Sequence, residues 1–308
     1  MLKTTSPVGL RDKSVAAVAL GSFDGLHVGH QAILQRAVEI ARHSGALSAV
    51  FTFHPHPGSV TGRNGMRTIT TPKQRSLLIE KHGIDVLIEQ PFTSTFASLS
   101  PQQFVLDVLL AAFGATSFVA GFNYSFGHRA EGDMNMLKRL GAQHQFAVHE
   151  VEPIALAGET VSSTRVRRLL EQGDLESAAR CLGRPFSLQG EVAVGDGRGR
   201  KLGFPTANVS LAKEQVLPPR GVYLVYAPTF GFGVANLGVR PTFPLLDAAL
   251  EVHFLESQGL DLYGRELEVE LLLYLRPERV FTDAVALQEQ VEQDIARARA
   301  LAYSITKC

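Results

Sequence analysis

The sequence predicts a parallel α/β sheet in its first half and a small antiparallel β structure in its second. Three observations predict this. Short, non-alternating apolar runs recur through the first half. Amphipathic helical patterns separate them. From about Arg184 the pattern changes to alternating strands broken by Gly and Pro. A chain of 308 residues has room for about two domains, and the change of pattern puts the boundary near Gly183. The expected domains are residues 1–183 and 184–308.

The expected strands of the first half are Val15–Leu20, Leu47–Phe53, Asp85–Glu89, Ser117–Gly121 and Phe146–Val151. They are rich in Val, Ile and Phe, which suits strands buried on both faces. Between them, His30–His43 puts Ile33, Leu34, Ala37, Ile40 and Ala41 on one stripe, and Gly45 follows as a stop. Thr71-Pro72 opens a second helix that Gly83 ends. Ser100-Pro101-Gln102-Gln103 is a capping-box start, with a stop at Gly114. Alternation of this kind predicts helices on both faces of a parallel sheet. Ligands of such sheets lie at the carboxyl ends of the strands.

Two short helices are expected near Ser163–Gln172 and Asp174–Leu182. Short strands follow at Leu188–Val194, Val222–Tyr226, Gly233–Leu237, Leu250–Phe254 and Glu266–Leu275. Period-two alternation in Glu251-Val252-His253-Phe254 and Glu268-Val269-Glu270-Leu271 points to an antiparallel barrel or sandwich. A last helix is expected from Thr282 to about Ala302, with Leu287, Val291 and Ile295 on one face.

Composition narrows the class of protein. With 45% hydrophobic and 19% charged residues, the chain can bury sizeable cores and is not of the disordered type. Thirty Lys and Arg balance thirty Asp and Glu, so no global basic field calls for a nucleic-acid partner. The two cysteines, Cys181 and Cys308, are far apart and form no CxxC spacing. That argues against a disulfide framework and a zinc site, and fits a reducing compartment. Met1–Lys13 lacks a signal-like apolar stretch, and no apolar run approaches the roughly 18 residues of a membrane span. The expectation is a soluble cytoplasmic protein with no membrane partner.

The first chemical constellation is Gly21-Ser22-Phe23-Asp24-Gly25-Leu26-His27-Val28-Gly29-His30, which joins the first strand to the first helix. Its glycines permit close backbone approach to a ligand. A helix N-terminus offers N–H groups and a positive dipole end to phosphate. Two imidazoles add side-chain donors. A plain turn with capping histidines is the alternative, but the strand–turn–helix setting is the one phosphate binding needs. A metal site is the other alternative; it lacks a third ligand in the local sequence, although the fold could bring His54 and His56 close.

Ser162-Ser163-Thr164-Arg165-Val166-Arg167 puts hydroxyls and arginines at a helix start. It reads as an anion site or as a helix cap followed by a solvated basic face. Gly195-Asp196-Gly197-Arg198-Gly199-Arg200-Lys201-Leu202-Gly203-Phe204-Pro205-Thr206-Ala207-Asn208 is neither a Walker A nor a GxGxxG motif. It reads as a cationic glycine-rich flap, then a Pro-fixed turn presenting a hydroxyl and an amide.

These strings resemble known ones. The first looks like the HxGH motif of the nucleotidylyltransferase superfamily, and its wider string is similar to bacterial bifunctional riboflavin kinase/FAD synthetases. Phe51-Thr52-Phe53-His54-Pro55-His56-Pro57 resembles that family's second-strand signature. Gly121-Phe122-Asn123-Tyr124-Ser125-Phe126-Gly127 with Gly132-Asp133 resembles its flavin-side loop. The glycine-rich string resembles the riboflavin kinase signature with its Pro-Thr-Ala-Asn core. Gly221-Val222-Tyr223, Gly238-Val239-Arg240-Pro241-Thr242-Phe243, Glu251-Val252-His253 and Asp261-Leu262-Tyr263-Gly264 match in order. Ser22 stands where the family usually has Asn. Asn123 replaces a common acidic residue, and Tyr124 a common Phe.

The resemblance implies a Rossmann-like nucleotidylyltransferase domain followed by a small antiparallel β-barrel with a terminal helix. It implies phosphorylation of riboflavin to FMN by ATP, then adenylylation of FMN to FAD. By resemblance, His27 and His30 are catalytic, while Gly21, Phe23, Asp24, Gly29, Ser163, Thr164 and Arg167 bind ATP. Asn123, Phe126 and Asp133 contact flavin. In the second half Gly197, Gly199, Lys201, Gly203, Thr206 and Asn208 bind ATP. Thr206 and Asn208 also hold Mg²⁺, and Glu251 takes the proton of the attacking hydroxyl. Other readings on the same scaffold are a single surviving activity or a flavin-binding regulator.

Overall fold

A computed structural model of the chain describes residues 1–7, 14–60, 66–194, 203–238, 248–256 and 262–306. It divides into two compact units, Met1–Ser163 and Thr164–Cys308. The first unit is built on six parallel strands: β1 (Leu2–Thr4), β2 (Val15–Leu20), β3 (Leu47–His54), β4 (Val86–Pro91), β5 (Ser117–Gly121) and β6 (Ala147–Val151). Their order is β1-β4-β3-β2-β5-β6. The chain winds one way from β2 to β3 and the other way to β5. The crevice at the carboxyl ends of β2 and β5 is therefore the switch point where ligands of such sheets bind.

The alternation of side chains sorts the core into two layers. Val18 and Leu20 of β2 join Phe51 and Phe118 on one face, while Ala17 and Ala19 join Val50 and Val119 on the other. The second face is covered by α1 (Val28–His43), through Ile33, Leu34, Ala37, Val38 and Ala41, and by Ile79 of α2 (Pro72–Lys81). The first face is covered by α3 (101–113) and α4 (Met134–His144). Helix α3 runs without a break through Pro101–Gln103, Phe104–Leu110 and Ala111–Phe113, and its middle stretch is π-helical. Both faces are thus helix-covered, as predicted. Fully burying a side chain such as Phe51 or Leu34 contributes about 1.5–3 kcal/mol. A short hairpin, β7 (Ala155–Leu156) and β8 (Glu159–Thr160), follows the sheet.

The second unit starts within α5 (Ser163–Glu171) and continues through α6 (Leu175–Leu182), which Gly183 ends in a left-handed cap. Six antiparallel strands then close a barrel in the order β10-β13-β12-β11-β14-β9. They are β9 (Phe186–Ala193), β10 (Ala207–Leu211), β11 (Gly221–Ala227), β12 (Gly231–Gly238), β13 (Ala249–Phe254) and β14 (Glu266–Arg276). Of the two antiparallel forms left open by alternation, the barrel is the one formed. Helix α6 packs on β9 and β14, and the terminal helix α7 (Ala284–Thr306) packs on β12. Arg276 pins α7 to β14 with a bidentate bridge to Asp294, Nε–Oδ1 3.0 Å and Nη2–Oδ2 2.7 Å.

Candidate active site

The loop after β2 is held in an unusual backbone. Phe23 (φ 52°), Gly25 (φ 77°) and Leu26 (φ 44°) are all left-handed. For the two that are not glycine, Phe23 and Leu26, this costs about 1–3 kcal/mol each and persists only where the surroundings over-determine it. Here they do. Phe23 and Leu26 are fully buried. The buried Asp24 carboxylate accepts the N–H of Ile69 at 2.9 Å and of Thr70 at 3.2 Å. Thr70 Oγ1 accepts the Gly25 N–H at 3.2 Å. A Cβ on Gly25 would meet Ile69 at 2.8 Å, so both space and φ require glycine. Thr52 Oγ1 and Arg75 Nη1 both donate to the Ser22 carbonyl, at 3.1 and 3.3 Å. The turn is thus anchored through the backbone of residue 22.

Helix α1 begins on this loop with His27 as its N-cap. His27 Nδ1 accepts the His30 N–H at 3.2 Å. A ring nitrogen that accepts carries no proton, so the neutral imidazole of His27 carries its proton on Nε2. The His27 and His30 rings stack with centroids 3.7 Å apart and planes 14° apart. The Phe23 ring meets His30 edge-on at 5.3 Å. The spacing of the motif has a mechanical reason. Residues three apart share a helix face, and a Cβ on Gly29 would lie 3.2 Å from the His27 ring.

Ser163 and the loop after β5 also belong to this edge of the sheet. Within the first unit, Ser163 Oγ donates to the Asp24 carbonyl at 2.9 Å. Thr164 is exposed on α5 and Arg167 half-buried. The loop after β5, the neighbour of β2, carries an exposed Asn123. A Cβ on Gly121, the last residue of β5, would touch Ile33 of α1 at 3.4 Å, so α1 packs against the end of this strand. Phe126 is buried, packed on Phe104 at 5.6 Å and stacked on Tyr124 at 5.7 Å. Burial pushes the Tyr124 phenol above its ordinary pKa. Asp133 caps α4, its Oδ1 accepting the Met136 N–H at 2.7 Å. Phe126 and Asp133 therefore shape this loop, while Asn123 stands on its surface.

In the barrel, register gathers the second set. Asn208 of β10 pairs with Glu251 of β13, which pairs in turn with Asn236 of β12. Directly paired residues share a face. Leu250 and Val252 are buried inside while Glu251 is exposed, so the three polar side chains stand on the outer face. Thr206, half-buried, precedes β10. Its approach is held by His253 Nδ1, 3.0 Å from the Pro205 carbonyl, and by the edge-on contact of Phe204 with His253 at 5.9 Å. Asn236 Nδ2 donates to Glu278 Oε1 at 3.4 Å. Gly203 is left-handed (φ 86°). Gly197, Gly199 and Lys201 lie outside the described residues, as do positions 239–243 and Asp261.

A family model described as FAD synthetase matches residues 10–165, and one described as riboflavin kinase matches 182–302. The chain belongs to the bifunctional riboflavin kinase/FMN adenylyltransferase family. A bifunctional riboflavin kinase/FMN adenylyltransferase of Listeria monocytogenes is 38% identical, with 92% of this chain and 91% of that protein aligned. One from Pseudomonas fluorescens is 39% identical over 95% of each. A solved structure described as a macrolide-efflux protein from Streptococcus pneumoniae has a TM-score of 0.84 at 30% identity, covering 97% of this chain and 98% of its own. Among the described residues of this family member, no helix is long and apolar enough to cross a membrane.

Four residues at these sites had no role in the sequence-based expectations: Thr70, Arg75, Asn236 and His253. Arg75 left one signal, since it lies four residues before the buried Ile79 and so on the apolar stripe of α2. His253 alternates outward with Glu251. Thr70 and Asn236 owe their places to long-range pairing alone.

Proposed function

We propose that this chain makes FAD from riboflavin in two ATP-dependent steps, one in each half. The observation that carries this reading is that each half keeps its own phosphate-handling group: the stacked His27–His30 pair and the Asn208–Glu251 register pair beside Thr206. The adenylyltransferase takes residues 1–183 and the kinase 184–308.

In the kinase step the terminal ribityl hydroxyl of riboflavin attacks the γ-phosphorus of ATP. The new O–P bond forms as the bond to the β,γ-bridging oxygen breaks. FMN and ADP result, and the Glu251 carboxylate takes the hydroxyl proton. Thr206 and Asn208 offer a hydroxyl and an amide oxygen, hard donors of the kind that suit Mg²⁺, and Asn208 shares its face with Glu251. When bound, Mg²⁺ neutralises charge on the ATP phosphates. Gly197, Gly199, Lys201 and Gly203 bind ATP in this step.

In the second step a phosphate oxygen of FMN attacks the α-phosphorus of a second ATP. The bond to the α,β-bridging oxygen breaks and pyrophosphate leaves. No protein nucleophile is required, so catalysis is positioning and charge stabilisation. His27 donates from Nε2 to the phosphoryl oxygens, and His30 donates beside it. Ser163, Thr164 and Arg167 hold the departing phosphates. Gly21, Phe23, Asp24 and Gly29 shape the ATP cradle; Asp24 does so through the loop, its carboxylate being engaged by Ile69 and Thr70. Asn123 meets the flavin, with Phe126 and Asp133 setting its loop. The site of action is the cytoplasm.

Incubating the chain with riboflavin, ATP and Mg²⁺ and resolving FMN from FAD over time tests this reading. Successive appearance of FMN and FAD is expected, and His30→Ala should stop at FMN. FMN alone from the unaltered chain would leave only the kinase; flavin binding without ATP consumption would favour a regulator.

A further inference from the structure

Behind the His27 loop lies a buried charge with no part in the chemistry above. Arg75, in the first turn of α2, has its side chain 7% exposed. Its Nη1 donates to the Ser22 carbonyl at 3.3 Å. Its Nη2 donates to the Phe53 carbonyl at 3.0 Å and to Glu89 Oε1 at 2.9 Å. Those acceptors belong to the β2 loop, to β3 and to β4. Glu89 in turn pairs with Lys3 of β1 at 2.6 Å. One guanidinium therefore ties the carboxyl edge of the sheet to the turn that leads into the two histidines.

The residue type matters. Neutralising Glu89 alone asks only for a point charge, which Lys supplies. Reaching three acceptors on three segments asks for the planar fork of Arg. A buried ion pair is weak evidence for stability, since apolar replacements of both partners are often neutral. What an apolar pair cannot do is hold the Ser22 carbonyl. From Ser22 the restraint passes directly to the left-handed Phe23, whose ring touches His30. The segment that leads into α2 braces the same loop, through Ile69 and Thr70 on Asp24 and Gly25.

We infer that Arg75 is a positioning residue for adenylyl transfer: by fixing the Ser22 carbonyl it aims His27 and His30. This rests on the reading of the first unit as the adenylyltransferase. The test uses the full chain with Arg75→Lys and with the double change Arg75→Met/Glu89→Met. FAD formation from FMN and ATP, FMN formation from riboflavin, and thermal unfolding are measured on each. Both variants are expected to keep FMN formation and a Tm close to that of the unaltered chain. Both should lose about tenfold or more in the kcat of FAD formation, the scale of cost of a small misplacement, with the KM for ATP changed by less than about threefold.

A folded variant of either kind with unaltered kcat overturns the inference, as does a loss seen only as raised KM. If the double variant does not fold, Arg75→Lys decides by the same criterion. An unaltered chain that makes no FAD overturns instead the reading of the first unit, and the proposed task of Arg75 with it.

Discussion

His27 accepts the backbone N–H of His30 on Nδ1 at 3.2 Å while the two rings stack 3.7 Å apart. One side chain thus caps α1 through Nδ1 and carries its proton on Nε2. The two tasks separate by substitution. Asn is among the best N-caps, so His27→Asn should keep the stability of the first unit. It removes the imidazole donor, and losing one such donor costs about 10²–10³ in kcat. His27→Ala should lose the donor and also about 1 kcal/mol of cap. FAD formation and thermal unfolding of both variants check this. Full activity in His27→Asn would reduce His27 to a cap.

Gly29→Ala isolates geometry from chemistry. Gly29 stands in the first turn of α1, where the exchange gains less than the roughly 1 kcal/mol of a helix interior. The new Cβ would stand 3.2 Å from the His27 ring, which must then give way by a few tenths of an ångström. Tm should hold or rise while the kcat for FAD falls about tenfold. Unchanged kcat would mean that the ring position is not critical.

Thr206→Ala should abolish riboflavin phosphorylation at every Mg²⁺ concentration while FAD formation from supplied FMN continues. Near-normal turnover at any Mg²⁺ level would remove Thr206 from the site. The hold on its approach makes a second comparison. His253→Leu loses the bond to the Pro205 carbonyl and should lower kinase kcat about tenfold. His253→Gln keeps a donor and should retain most activity.

Much of this architecture is legible in the sequence because its signals are local. Val15–Leu20 and Ser117–Gly121 have the bounds that their apolar runs predict, the Ser100 capping box is formed, and Thr71-Pro72 opens a helix. What escapes is set by partners distant in the chain. β1 is three residues long and exists by pairing with β4. β10 is hidden in a string that reads as a loop, and its pairing with β9 closes the barrel. Hydrophobic spacing does not distinguish the π-helical Phe104–Leu110 from an α-helix. At the sites, motif residues were found by type and order, but Arg75, Thr70 and Asn236 act through bonds across 40 residues or more in at least one case each.

Glu89 ties stability of the first unit to pH. Burial alone would raise its carboxyl pKa, but hydrogen bonds and charge from Lys3 and Arg75 outweigh that and hold it below the ordinary value. An unfolded Glu titrates near 4.3, roughly. Between the folded and unfolded values the unfolded chain binds more protons, so stability rises with pH there. The contribution is complete above the unfolded value and is lost as pH falls through the folded one. Thermal unfolding of the first unit, followed from about pH 3 to pH 7, should show Tm falling at the acid end. Glu89→Gln should flatten that fall. It should also cost about 2 kcal/mol at neutral pH, the worth of a hydrogen bond to a charged group. Parallel profiles for the two proteins would mean that Glu89 carries no linkage and that its pairing with Arg75 and Lys3 adds nothing to the fold.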